Sequence, residues 1–450
     1  MNTLQEPARD IPVIYEADIC VLGGSCTGLF AAIRAARLGA RVVIVEKDNC
    51  FGGVATTAMV NVWHSLHDTE GKKQIIAGLT AETMDRLDRR GAVQRHKRTN
   101  PSRGFTFNSE ELKIELDELA TEAGIKIYLH TQFAAPAPLV DGDGRLTAVF
   151  VENKSGRGAI KARVFIDATG DADLAARLGC ETYLANQLQP ATACARFAGW
   201  DTLNGAEVGA LIREHGPAHG LPPTFSWGNH VPNSDIYMLA ATRIHGINPA
   251  IADDLTRGEI EGRRQVRAIM DILRENVPGC RLSLEALPSR LGLRESRHIR
   301  SPYQLTGDDV LSGKAFDDTI AQGSYRVDIH HQDKPGITLR YLDGVETYEC
   351  PGQPSQRGRW RPETTVNPTY YQVPYRSLLP VEGPRNVIVA GRMLDVDMIA
   401  HAAVRVMVNM NQTGEAAGVA AVQSLDNGCD LHAVDVPRLR DALAAGGSAL

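Results

Sequence analysis

Apolar and polar positions alternate along this chain in a way that predicts its elements almost from the first residues. Residues 18–22 form a short apolar run with strand character, and the glycine-rich turn Gly23-Gly24-Ser25-Cys26-Thr27-Gly28 follows at once. Leu29, Ala32, Ile33 and Ala36 then fall at helical spacing on one face, and Gly39 sits where such a helix would end. A second apolar strand, residues 41–45, closes on Glu46. Further on, residues 110–123 read as an amphipathic helix ended by Gly124, and 125–130 as another apolar strand. Two short strands follow at 145–151 and 159–164. They are punctuated by Asp141-Gly142-Asp143-Gly144 and Ser155-Gly156-Arg157-Gly158, which are hairpin turn signals. The second of these strands is expected to run on into Phe165-Ile166-Asp167-Ala168-Thr169-Gly170.

Residues 190–375 keep no such order. They hold a helix-like stretch at 259–274 and the loop-like run Pro351-Gly352-Gln353-Pro354-Ser355-Gln356-Arg357-Gly358. Near the end, Asn386-Val387-Ile388-Val389-Ala390-Gly391-Arg392 reads as a strand returning to a glycine. Residues 404–424 then read as one helix, with Gly414 and Gly418 together with Ala416, Ala417, Ala420 and Ala421 making a slim face. No internal repeat or low-complexity tract interrupts the pattern.

The first unit, strand–turn–helix–strand, is the local architecture that grips a dinucleotide. A helix N-terminus offers unpaired N–H groups and about half a positive charge, which suits a pyrophosphate. Glu46, 18 residues beyond Gly28, can accept hydrogen bonds from a ribose hydroxyl. Ser25 stands where the fingerprint has its second glycine; it is small, and its hydroxyl can itself meet a phosphate oxygen.

Composition narrows the partners. The chain has 450 residues, 43% of them apolar and 23% charged, as in globular proteins with a large core. A net charge of −6 argues against nucleic acid or an anionic membrane as partner. No stretch reaches membrane-helix length, and the N-terminus lacks the apolar core of a secretion signal, so a cytoplasmic location is expected. The eight cysteines show no CxxC spacing, so zinc, iron–sulfur and dithiol chemistry are not expected and no metal ligands are assigned.

The glycine turn, Glu46, Gly52-Gly53, the three-stranded meander, Asp167-Ala168-Thr169-Gly170 and the late Gly391-Arg392 together resemble FAD-dependent oxidoreductases with a glutathione-reductase-like FAD-binding domain. Arg290-Leu291-Gly292-Leu293-Arg294-Glu295-Ser296-Arg297 and Tyr371-Gln372-Val373-Pro374-Tyr375 fit the same pattern. Motif-level support covers roughly residues 1–190 and the last 75. The resemblance implies an α/β fold: a Rossmann-like FAD-binding domain, with a parallel sheet and a β-meander, carrying an inserted α+β substrate domain. The implied boundaries are 12–190 with 376–450 for FAD, and 191–375 for the substrate. It implies FAD as cofactor, contacted by Gly23, Ser25, Cys26, Thr27, Gly28, Glu46, Lys47, Gly53, Val54, Ala55, Phe133, Ala168, Thr169, Gly170, Gly391, Arg392 and Val406. Only one dinucleotide fingerprint is present, so a separate NAD(P)H domain is not expected.

The function that follows is hydride transfer between flavin N5 and a small organic substrate. Two alternatives stay open, a flavin monooxygenase and an electron-transfer subunit serving a protein donor or acceptor; a homo-oligomer is also open. Gly391-Arg392 stands where monooxygenases usually carry Gly-Asp. A flavin supplies the redox chemistry, so the chain must place the substrate and handle a proton. The loop after Gly53 and the start of the C-terminal helix should meet at the flavin, which nominates His64 and His401 as proton-handling groups and Arg405 as a balance for flavin charge. His401 is expected ahead of the helix, facing the flavin pyrimidine. Arg290, Arg294, Glu295 and Arg297 form a charged group read either as a carboxylate clamp or as a helix face. His330-His331 with Asp328 is a poor metal reading, because neighbours in a strand point to opposite faces.

Overall fold

The computed structural model describes residues 3–137 and 144–450. The predicted turn residues Asp141, Gly142 and Asp143 lie outside them. At its centre is a five-stranded, wholly parallel sheet. Its order is Val387–Val389, Val164–Asp167, Ile19–Leu22, Val42–Val45, Lys126–Tyr128. The three middle strands and the late strand at one edge are buried along their length, the pattern of a sheet covered on both faces. Helix Cys26–Arg37 connects Ile19–Leu22 to Val42–Val45 and buries most of its surface. Helix Met407–Asn427 lies against it. The slim face is what allows this: a Cβ on Gly414 would stand 1.9 Å from the Thr27 carbonyl oxygen, and one on Gly418 2.3 Å from that of Ala31.

On the other side, Gln132–Pro136, Ala148–Asn153 and Gly156–Lys161 form the expected meander, joined by Val13–Glu16 as a fourth, parallel strand. Leu22, Val43 and Phe165 from the parallel sheet pack there against Phe133, Val149 and Ile160. The single strand expected from 159 into 167 is two strands in two sheets. The chain changes sheet at Ala162-Arg163, where the amides of Arg163 and Val164 donate to the Asp18 carbonyl and the Asn386 side chain takes up the Arg163 carbonyl.

The remaining residues add an antiparallel sheet ordered Trp227–His230, Tyr237–Ala240, Cys194–Ala198, Ser283–Ala286, with helix Ala252–Asn276 packed on it. A second antiparallel sheet runs Val327–His330, Ile337–Arg340, Val345–Glu349, Gln356–Arg359. Two expectations need correction here. The helix at 259–274 is longer, and Gln356, Arg357 and Gly358 of the run 351–358 join an edge strand rather than remaining loop. The C-terminal helix is also broken: Met398–Val404 is separate, Arg405 caps it, and extended Val406 (ψ 146°) starts Met407–Asn427.

Candidate cofactor and substrate site

The glycine turn is shaped by how closely it meets the sheet. Gly23 has φ +101°, and a Cβ there would lie 2.3 Å from the Ala168 carbonyl oxygen, so the turn presses on the end of Val164–Asp167. Gly28 is equally tight against the Gly23 carbonyl, at 2.0 Å for an added Cβ. Ser25 needs no glycine: at φ −59° it is the N-cap, and its hydroxyl accepts from the Gly28 amide at 3.5 Å. The helix therefore opens with its remaining first-turn amides free for a ligand.

Glu46 is buried at the end of its strand and does two jobs. Its Oε2 accepts from the Gly24 amide and its Oε1 from that of Asp48 at 2.8 Å. Burial raises its pKa above the ordinary carboxylate value. Asp167 plays the matching part at the end of Val164–Asp167, on the other side of Ile19–Leu22. It accepts from Thr169 and from the amides of Leu174 and Ala175, and burial pushes its pKa up to about 6. Arg392 is fixed by Asp171, Nη2 to Oδ1 at 2.8 Å, and the Gly391 amide donates to Thr413 Oγ1 at 3.0 Å.

These groups line one cavity of about 1100 Å³. That is at the top of the roughly 300–1,000 Å³ range for small-molecule sites, enough for a large cofactor with something beside it. Of the residues expected at the cofactor, Gly23, Ser25, Cys26, Thr27, Glu46, Lys47, Gly53, Val54, Phe133, Ala168, Thr169, Gly170, Gly391, Arg392 and Val406 line it. Gly28 and Ala55 do not; Gly28 serves the close packing of helix on turn, and Ala55 is fully buried.

The same cavity is also lined by His64 and Arg405, together with Tyr325, Arg326, Asp328, His330, Arg243 and Arg294. Asp328 Oδ2 is the hub. It accepts from the Tyr325 hydroxyl at 2.9 Å and lies 3.1 Å from His330 Nε2 and 3.4 Å from Arg405 Nη2. Arg243 meets His330 Nδ1, which assigns the ring proton to Nε2, facing Asp328. Burial raises the Asp328 carboxyl, but His330, Arg405 and Arg326 outweigh it and hold the pKa well below the usual value. Burial lowers His330 and His64 to about 3, with help from nearby guanidinium groups. The rings of His64 and Tyr325 are 4.2 Å apart, and the Tyr325 phenol is held protonated by burial and by Asp328.

His401 is the main correction. It lies ahead of the long helix but inside a separate short one, Met398–Val404, and its ring is buried away from the cavity lining. Its Nδ1 is 3.5 Å from Glu295 Oε1, which His298 Nε2 also approaches at 3.3 Å, while Glu295 Oε2 accepts from the Gln189 amide. The ligand atoms of Glu295, His298 and His401 all lie within 4.8 Å of one another. His298 is further tied to the Leu394 carbonyl at 2.9 Å. The arginine group also separates: Arg290 pairs with Asp48, Arg297 with Asp173 at 3.0 Å, and Arg294 enters the cavity. Residues 290–297 form no helix.

Sequence reasoning passes over Arg243, Tyr325 and Arg326, which carry no local motif. Asp328 and His330 did have a signal, since residues two apart in a strand share a face. The cavity also carries unpaired buried polar atoms: His64 Nδ1, Arg326 Nε, Asp328 Oδ1, Arg392 Nε and Arg405 Nε. Such atoms are costly when left without a partner. With the free helix amides and Glu46, they fit a dinucleotide at one end and a polar ligand at the other.

The fold and this cavity define a dinucleotide-binding flavoenzyme. The chain belongs to the FAD dependent oxidoreductase family, which it matches over residues 18–443, and its cofactor is FAD. Among solved structures it is similar to a geranylgeranyl bacteriochlorophyll reductase-like protein from Thermoplasma acidophilum, at 12% identity and TM-score 0.47, over 96% of this chain and 84% of that one. It is also similar to the flavin-dependent brominase Bmp2, at 13% identity and TM-score 0.45, over 95% and 83%. A third is p-nitrophenol 4-monooxygenase from Pseudomonas putida DLL-E4, at 13% identity and TM-score 0.39, over 65% and 71%. No curated protein sequence matches the chain. Among the described residues no helix is long and apolar enough to cross a membrane.

Proposed function

We propose that this oxidoreductase moves a hydride between flavin N5 and a small organic substrate bound at the Asp328 end of the cavity. One observation carries the reading. The cavity that holds the dinucleotide cradle continues, without a wall, into a group of titratable side chains of the kind hydride transfer requires.

Bound FAD supplies two-electron hydride chemistry. The cofactor is held by residues 12–190 and 376–450: the first turn of Cys26–Arg37 at the pyrophosphate, Glu46 at the ribose, and the start of Met407–Asn427 at the flavin. Residues 191–375 close over the substrate, with His64 and Arg405 added from the cofactor side. Tyr325, Asp328 and His330 form a short hydrogen-bonded chain that holds a proton at Tyr325 Oη and His330 Nε2. The proton that accompanies the hydride is exchanged at Tyr325 Oη, and Asp328 and His330 orient that hydroxyl. His64 stands beside it as a neutral imidazole, and Arg405 steadies negative charge. The cavity thiols, Cys26 and Cys194, take no part, since burial pushes each pKa up to about 12.

Anaerobic mixing of the FAD-loaded protein with a panel of metabolites and with NAD(P)H tests the reading. A small molecule should bleach the flavin, and Tyr325→Phe should slow that bleaching by about 10²-fold or more with the cofactor still bound. Bleaching only by a protein partner would instead support an electron-transfer subunit. Substrate-dependent incorporation of oxygen into product would support a monooxygenase.

A further inference from the structure

We propose that the flavin end of the cavity is built for a small carboxylate anion, gripped by Arg243, Arg294 and Arg405. The inference rests on the preceding reading for the word substrate, but not for the binding itself. The three guanidinium groups come from separate parts of the chain. Arg243 follows strand Tyr237–Ala240, Arg294 lies in the irregular segment after Gly292, and Arg405 caps helix Met398–Val404.

Their present partners are mostly neutral. Arg243 meets the His330 ring, and Arg294 meets the Pro190 carbonyl and, at 2.9 Å, Thr192 Oγ1. Arg405 Nη2 reaches the Asp328 backbone carbonyl at 3.2 Å and the Asp328 carboxylate at 3.4 Å. One carboxylate therefore serves three arginines, and Arg326 adds a fourth positive charge close enough to act on Asp328 and His64.

Three other arginines on the cavity wall are matched. Arg290 pairs with Asp48, Arg392 with Asp171 at 2.8 Å and Arg263 with Glu259 at 3.3 Å. The excess is local, in a chain whose net charge is −6. Burial, reinforced by the neighbouring guanidinium groups, brings Arg294 down to about 9, and burial with Arg405 brings Arg243 down to about 10. A fold keeps such uncompensated charge where a ligand completes it. The planar, forked donors of arginine match a carboxylate two bonds at a time. Phosphate groups share that oxyanion chemistry, so the experiment separates the two.

The FAD-loaded protein is titrated, without any reductant, with malonate, succinate, inorganic phosphate and the neutral isostere succinamide, and the flavin absorption band is followed. Malonate or succinate should give a saturable shift that weakens as ionic strength rises, and succinamide should give none. Arg294→Gln and Arg405→Lys should each weaken carboxylate binding about tenfold or more. Arg405→Lys keeps the charge, so a normal flavin spectrum in that variant confirms that the fold and the cofactor are intact. Succinamide binding as well as succinate, an anion response unchanged in both variants, or no response to any anion overturns the proposal. A response to phosphate alone overturns the carboxylate assignment. Because the readout needs no turnover, the two proposals fail separately. Carboxylate binding with no bleaching by any metabolite counts against hydride transfer only. Bleaching by a neutral substrate that malonate does not inhibit counts against the carboxylate site only.

Discussion

Replacing Gly414 by alanine should loosen the cofactor cradle from behind. Gly414 lies in Met407–Asn427 where that helix crosses the first turn of Cys26–Arg37, and an added Cβ would sit 1.9 Å from the Thr27 carbonyl oxygen. Ordinary contact begins at 3.4 Å, so the helices must part by about 1.5 Å. Two effects oppose each other. Alanine within a helix gains about 1 kcal/mol over glycine. Overpacking costs about 1–3 kcal/mol and occasionally more, and an overlap with backbone, which cannot rotate away, belongs at the upper end. The net expectation is a loss of about 2 kcal/mol or more. The displacement also moves the free amides around Thr27, and it strains Thr413, which accepts from the amide of Gly391 in the cavity lining. FAD affinity should therefore fall along with stability.

Thermal unfolding with and without added FAD, together with FAD release followed by fluorescence, reads both effects. Gly418→Ala, whose Cβ would be 2.3 Å from the Ala31 carbonyl oxygen, should be milder and spare the cofactor more, because Ala31 lies a turn farther from the cradle. Gly358→Ala meets no atom within 4 Å and serves as the control. A Gly414→Ala protein within about 0.5 kcal/mol of the parent, with FAD affinity within about twofold, would refute this account of the helix contact.

Two other outcomes follow from buried groups. His64, His330 and His401 are each brought down to about 3 mainly by burial. Unfolded chain takes up protons below pH ~6.5 that the folded chain refuses. Stability is then lost as pH falls, by about 1.4 kcal/mol per histidine between pH 7.5 and 5.5, or about 4 kcal/mol for the three. Asp167, pushed up to about 6, works the other way and offsets about 0.8 kcal/mol of that by pH 5.5. Glu295, lowered to about 2 by His401 and His298 against the opposing effect of burial, and Asp328 add their loss only below pH ~4.5. Denaturant titrations that show equal stability at pH 7.5 and 5.5 would contradict this. His401→Ala should cost about 2–4 kcal/mol through the space left and the weakened Glu295 contact, with the flavin spectrum and FAD affinity unchanged. Parental stability with an altered flavin spectrum would instead place the ring at the cofactor.

Much of the fold was legible because its signals are short-range. Strand, turn, helix and terminal acid between Ile19 and Glu46 are contiguous, and each element's period shows within a few residues. Errors came where a neighbour decided the outcome. The run 159–167 has continuous strand character, yet Asp18 and Asn386 divide it between two sheets. His401 stands beside a real helix, but the break at Arg405-Val406 turns it inward to Glu295.

The sequence by itself determined the dinucleotide cradle, because a dinucleotide is bound by consecutive amides at its pyrophosphate and a carboxylate at its ribose, at a set spacing. It also determined the slim helix face, since only glycine at 414 and 418 permits so close a crossing. Tertiary structure alone decided the other end of the cavity. His64, Arg243, Arg294, Asp328 and Arg405 come from five distant segments; His64, Arg294, Asp328 and Arg405 carry some local signal, but nothing local brings the five together. Their chemistry exists only where burial removes water, so that charges tens to hundreds of residues apart act on one another at a few ångströms.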